Sequence, residues 1–166
     1  MLSEAGIPEL TGFHGMGETK ALVLIASLEP SQRKMLKSAE PVKSVRSSED
    51  AYQIILPKLI HLQHEEFWVL YMNMNNRVIA VEKISQGGIN GTIADARIIF
   101  KKALEHRSSG LILFHNHPSG SLKPSEADIK LTHRMREGGK MLEITVTDHI
   151  IVSSEGYYSF ADHNLL

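Results

Sequence analysis

The residues of this chain whose types and spacing can do chemistry are His115-Asn-His117-Pro118-Ser119-Gly120 and, just downstream, Ser125-Glu126-Ala127-Asp128. Two imidazoles and a carboxylate make a nitrogen, nitrogen, oxygen donor set. Bound to zinc, three such ligands leave a fourth position open, which is the form of a catalytic site that acidifies a water to a pKa near 7. Each residue also has an ordinary role. A histidine at a strand end is commonly structural. Ser125-x-x-Asp128 fits a capping box, in which the aspartate only satisfies backbone N–H groups. The combination favours the metal: His-x-His at a strand exit, turn residues between, and Ser-x-x-Asp opening a helix.

The elements that must position these residues follow from the pattern around them. Gly110-Leu-Ile-Leu-Phe114 is a short apolar run that predicts a buried strand, and strand alternation sends His115 and His117 to the same side. Pro118 and Gly120 stop that strand. Pro124-Ser125 opens a helix expected over 125–137, with Ser125 as N-cap, Asp128 one turn in, and Gly138-Gly139 ending it. Upstream, the run from Glu65 to Met72 predicts a strand, Asn73-x-Asn75-Asn76-Arg77 its turn, and Val78 to Ile84 a returning strand. Ser47-Ser48-Glu49-Asp50 starts a helix through Tyr52, Ile55 and Leu59 toward His64, kinked or divided at Pro57. His61 and His64 share a face there, but nothing converges on them, so an exposed helix end is the better reading. Gln86-Gly87-Gly88-x-x-Gly91 is a loop and does not fit a dinucleotide fingerprint. Ala94 to His106 reads as a helix, and Leu142 to Thr147 and His149 to Ser153 as the last strands. The fold class is α/β, an α+β mixed sheet with flanking helices.

His115-x-His117-Pro118, six residues, then Ser125-x-x-Asp128 resembles the JAMM metalloprotease motif of JAB/MPN domains. The wording His-Asn-His-Pro-Ser-Gly with Pro124-Ser125-x-x-Asp128 is similar to the RadC branch in particular. The resemblance runs from about Gly12 to Ile151. It implies a zinc-hydrolase fold of the cytidine-deaminase-like type, with His115, His117 and Asp128 as zinc ligands. A hydrolase also needs a proton carrier, and Glu65, Glu66 and Glu82 are the candidates. The resemblance selects Glu65, because JAMM domains place this glutamate at the start of the strand after the first helix. Alternation puts Glu65 on the face of Phe67 and Val69, and Glu66 on the other. Glu66 is the fallback for a register shifted by one residue, and Glu82 reads as a solvated charge. Ser125 can cap the helix and can also donate to the oxyanion of an attacked carbonyl. Asp148-His149 matches a feature of RadC-type sequences outside the ligand set, with His149 a wall or supporting residue. Asn116 stands where many JAMM proteases have a hydroxyl residue. The inserted loops that cradle ubiquitin in eukaryotic JAMM isopeptidases have no counterpart here, so ubiquitin specificity is not carried over.

The N-terminal part differs in character. Gly12-Phe-His-Gly15-Met-Gly17 is a glycine-rich connection ahead of a helical run through Leu28, and it resembles the second half of a helix-hairpin-helix. Residues 1–40 are therefore expected to form a partial helix-hairpin-helix segment and linker, and 41–166 the JAB/MPN domain. Backbone N–H groups in such a hairpin meet phosphate, so residues 10–28 are a candidate for weak, non-specific DNA contact; the bland alternative is a helix docked on the core.

With 166 residues and a formal net charge of −1, the chain has room for a real core and no bulk attraction to nucleic acid or anionic membrane. It has no cysteine, which excludes disulfides and thiolate chemistry, leaves His and carboxylates as the metal ligands and fits a cytoplasmic setting. No apolar run approaches membrane-spanning length. Two functional readings follow. The first is a zinc-dependent peptidase or isopeptidase acting on an unknown peptide or protein; the second is a DNA-associated module in a repair or recombination context, with the zinc mainly structural.

Overall fold

The computed structural model of the protein describes residues 7–24, 26, 44–87 and 94–166. The chain divides into two units, Met1–Val42 and Lys43–Leu166. Residues 27–40 of the expected N-terminal segment and linker, with the end of the run toward Leu28, and the loop glycines Gly88 and Gly91 lie outside the described residues.

In the first unit, helix α1 (Ile7–Thr11) and helix α2 (residues 18–24) flank the glycine-rich connection. Phe13 N–H donates to Leu10 O and Met16 N–H to Phe13 O, which turns the chain tightly, and Gly15 has φ +82°. That left-handed backbone is one that glycine adopts at little cost. The Lys20 ammonium closes the turn by donating to Gly15 O.

The second unit is a five-stranded mixed sheet between helices. Its elements are α3 (Ser48–Leu59), β1 (Glu66–Met72), β2 (Val78–Gln86), α4 (Ala96–Glu105), β3 (Gly110–Asn116), α5 (Glu126–Met141), β4 (Thr145–Ser153) and β5 (Gly156–Ser159). The strand order is β2-β1-β3-β4-β5, with β3 and β4 parallel and the other pairs antiparallel. A parallel pair needs a crossover, and α5 supplies it. Every residue of β3 is buried, as a central strand covered on both faces requires. Phe67, Val69, Tyr71, Leu111, Leu113 and Val146 pack with Ile99, Phe100, Ala103 and Met135 on the α4 and α5 side. Leu70, Met72, Ile112, Phe114, Ile150 and Val152 pack with Ala51, Ile55 and Leu59 of α3 on the other.

The mixed α/β class is as expected, but three local expectations give way to tertiary packing. Helix α3 is a single helix through Pro57, ending at Leu59 short of His64. Pro57 and Gln53 lie on its exposed side, where water can take the carbonyl left without an N–H. Helix α5 runs through Gly138 and Gly139 to Met141. Those glycines do not stop it; they let it approach its neighbours. A Cβ on Gly139 would lie 2.4 Å from Ile144 O, and one on Gly138 2.9 Å from the Phe100 ring. The two strands expected at the end are one, β4, which carries Asp148 inside it. The Asp148 carboxylate is buried and accepts from His149 N–H, Ala161 N–H and the Ser159 hydroxyl, so the break expected at a charged residue does not occur.

Candidate metal centre

The site forms where β3 ends and α5 begins. His115 is on the last turn of pleat of β3, and its register partner on β1 is Phe67, whose ring lies parallel to the imidazole. His117 follows the strand and is held by its backbone, with His117 N–H donating to Val152 O of β4. The chain then turns through Pro118 to Gly120, which has φ +85° and donates its N–H to His117 O. Ser125 caps α5, and Asp128 sits three residues on.

The three groups converge. His115 Nε2 is 3.0 Å from His117 Nε2 and 3.3 Å from Asp128 Oδ1, and the three candidate ligand atoms lie within 4.8 Å of one another. His115 is buried; His117 and Asp128 are partly exposed. The ring of His117 donates its Nδ1–H to Ser121 O, a carbonyl that only accepts, which leaves the lone pair on Nε2, the nitrogen that faces His115. Burial pushes the Asp128 carboxyl up, but the adjoining His115, with the Ser125 hydroxyl and N–H, outweighs it and holds the group well below the usual carboxylate range. Two imidazole nitrogens 3.0 Å apart beside a carboxylate are held together by a shared proton or by a cation, and a divalent ion satisfies all three groups at once. The donor set fits a metal ion on that ground.

The capping role of Asp128 occupies one of its two carboxylate oxygens. Its Oδ2 accepts from Ser125 N–H and from the Ser125 hydroxyl at 2.6 Å, completing a capping box with Asp128 N–H donating to Ser125 Oγ. Its Oδ1 faces His115. In this arrangement the Ser125 proton is directed at Asp128.

The glutamates separate by face. Glu65 is half-buried and directly precedes β1, and its carbonyl accepts from Gly87 N–H, which extends the ladder by one residue. Alternation then places its side chain with Phe67 and His115, although its carboxylate is not one of the three converging groups. Glu66 is buried on the opposite face, where it accepts from Trp68 Nε1–H, the Lys83 ammonium and His64 Nε2. Burial raises its carboxyl, and those three bonds and the Lys83 charge overcome that and lower it. His64 is thus engaged with Glu66 beyond the end of α3. Glu82, read from the sequence as a solvated charge, pairs instead with Lys102 of α4 and with His106, the residue that caps its C-terminus.

Two further residues shape the site. Asn116, between the histidines but on the other face, accepts from Glu66 N–H and donates to His64 O, tying residues 64–66 to β3. Thr132 and His149 form a chain to His115: Thr132 Oγ1 is 2.6 Å from Asp128 O and 2.7 Å from His149 Nδ1, and His149 Nε2 is 2.8 Å from His115 Nδ1. His149 is fully buried, stacked on Phe160, and burial together with the neighbouring histidines keeps its pKa well below normal. Thr132 is one helical turn beyond Asp128, so the i, i+4 spacing was the available signal for it.

Residues 45–165 match the RadC-like JAB domain family. The chain belongs to that family. A UPF0758 protein of Flavobacterium johnsoniae is 43% identical over 164 residues, covering 99% of this chain and 72% of the relative. One from Porphyromonas gingivalis is 43% identical over 167 residues, with 99% and 74% covered, and one from Desulforudis audaxviator 39% over 158 residues, with 95% and 69%. The RadC-like domain thus contains the whole candidate centre, from Glu65 through Asp128 to His149. Among the described residues no helix is long and apolar enough to cross a membrane.

Proposed function

We propose that this RadC-like domain is a zinc-dependent hydrolase that cleaves a peptide or isopeptide bond. The observation that carries the reading is the convergence of His115, His117 and Asp128 where β3 ends and α5 begins; strand alternation puts Glu65, the residue before β1, on their side of the sheet. His115, His117 and Asp128 would hold zinc, which takes nitrogen and oxygen ligands in such sites. The metal when bound would supply Lewis acidity toward the scissile carbonyl and an acidified water. Glu65 takes the proton that the water loses on attack and returns it to the leaving nitrogen as the C–N bond breaks. Ser125 holds Asp128 at rest, and its hydroxyl is the donor assigned to the oxyanion once it turns toward the substrate. A purely structural zinc has no use for a base or for an open position, which is why the hydrolase is preferred. The test is a peptide-library screen of the zinc-loaded protein against its Glu65→Gln variant; cleavage by the first that the second lacks supports the reading, and no cleavage of any peptide by the first argues against it.

The alternative, recruitment to DNA by the N-terminal unit, is favoured by one observation: two short helices flank the turn at Gly12 to Gly17, the arrangement that presents backbone N–H groups to phosphate.

A further inference from the structure

We propose that Thr132, acting through His149, sets which nitrogen of His115 carries the proton, and so is a positioning residue of the metal centre. The inference rests on the metal centre proposed above and deepens it. Thr132 has a single hydroxyl proton. Its Oγ1 lies 2.6 Å from Asp128 O, a carbonyl that only accepts, so the hydroxyl donates there. His149 Nδ1, 2.7 Å from the same Oγ1, must then be the donor of its pair. His149 lies wholly out of solvent against the rings of Phe67 and Phe160, where an uncharged imidazole is the form that burial favours. With its proton on Nδ1, its Nε2 presents a lone pair to His115 Nδ1, 2.8 Å away. His115 therefore carries its proton on Nδ1. Its Nε2 is left as an electron-pair donor aimed at His117 Nε2 and Asp128 Oδ1.

The direction of every bond in this relay is fixed from one end, the backbone carbonyl of Asp128. The residue that offers its carboxylate to the metal thus also anchors, through its main chain, the orientation of a second ligand on another element. Outer groups that fix a ligating histidine in this way are ordinarily worth about 10- to 100-fold in metal affinity. Without the Thr132 hydroxyl, the Nδ1–H of His149 faces no acceptor. Moving that proton to Nε2 would set two N–H groups against each other, unless His115 moved its own proton onto Nε2, the coordinating atom.

The experiment uses the full chain. Nitrogen-15 correlation spectra of the metal-free protein at pH 8 read the histidine tautomers, and competition with a chromophoric chelator reads zinc affinity. The wild type is expected to show His115 and His149 both protonated on Nδ1. Thr132→Val should lose about 10- to 100-fold in zinc affinity with a displaced His115 tautomer, and Thr132→Ser, which restores the hydroxyl, should recover both. Wild-type spectra with the proton of His149 on Nε2 would overturn the relay, and this reading stands even if Thr132→Val does not fold. Wild-type zinc affinity in Thr132→Val, or a failure of Thr132→Ser to rescue a folded protein, would overturn it too. A wild type with the expected tautomers that binds no zinc would instead remove the metal-centre reading and, with it, the positioning role.

Discussion

Glu65 and Glu66 are adjacent, chemically identical and assigned to opposite faces of β1, so the same substitution should do opposite things at the two positions. Glu66→Gln removes a charge from a side chain only 6% exposed. Glutamine can keep the 2.8 Å bond from Trp68 Nε1–H with its carbonyl oxygen, at the loss of charge assistance, about 1 kcal/mol. Its NH₂ group then faces the Lys83 ammonium, which is 43% exposed and can turn to water, so the lost ion pair adds only about 0–1 kcal/mol. The expected sum is about 1–2 kcal/mol, or roughly 2–8 °C in Tm for a chain of this size, with zinc content and hydrolysis retained. The pH dependence has a definite sign. The Glu66 carboxyl titrates below its ordinary 4.5 in the folded protein. Its stabilisation is therefore complete above that value and is lost as the pH falls through the lower folded pKa, so the gap between wild type and Glu66→Gln should close in acid. Glu65→Gln should leave Tm and zinc near wild type and depress hydrolysis by roughly 10²–10⁴. Thermal unfolding at neutral and acidic pH, with activity on a substrate from the library screen, reads all of this. A gap that stays constant into acid would refute the Glu66 assignment. Full activity in Glu65→Gln beside an inactive but stable Glu66→Gln would show that the base sits on the other face.

Gly139→Ala should cost about 1–3 kcal/mol in denaturant unfolding, because its Cβ would meet Ile144 O at 2.4 Å and push α5 off β4. Glu82→Gln should weaken the link from β2 to α4 by about 0.5–1.5 kcal/mol. The Lys102 contact first, then that of His106, lowers the Glu82 carboxyl, so this loss also fades as the pH falls below its ordinary 4.5. If residues 10–28 meet DNA, binding should be indifferent to sequence and fall steeply with salt, and bulky residues at Gly15 and Gly17 should abolish it without changing zinc content. Salt-independent binding by filter retention would contradict that role.

The parts of the site legible in the sequence are those that local rules govern. Alternation along β3 was enough to bring His115 and His117 to one side, and the N-cap preference of Ser125 was enough to set Asp128 at the first turn of α5. The β1–β2 hairpin followed from apolar runs around Asn73 to Arg77 for the same reason. What was not legible depends on distant partners. Gly138-Gly139 has the form of a helix stop, yet the closeness of Phe100 and Ile144 makes it a packing device inside α5. Asp148 looks like a strand breaker until Ser159 and Ala161, brought in by β5 and the turn after it, satisfy its carboxylate. Asn116 reads as a departure from a motif, and only the pairing of β1 with β3 shows it holding the backbone around Glu65. The relay from Thr132 joins α5, β4 and β3, and no spacing in the chain connects all three.

His115, His117 and Asp128 should hold one metal ion together. Metal analysis and zinc titration of the purified full chain, wild type against His117→Ala and Asp128→Asn, test it most directly. One zinc per wild-type chain is expected, with its loss in both variants and a rise in wild-type stability with free zinc of about 2.7 kcal/mol at a hundred times Kd. Zinc retained at full occupancy in folded His117→Ala, or a wild-type Tm that zinc does not move, would contradict it.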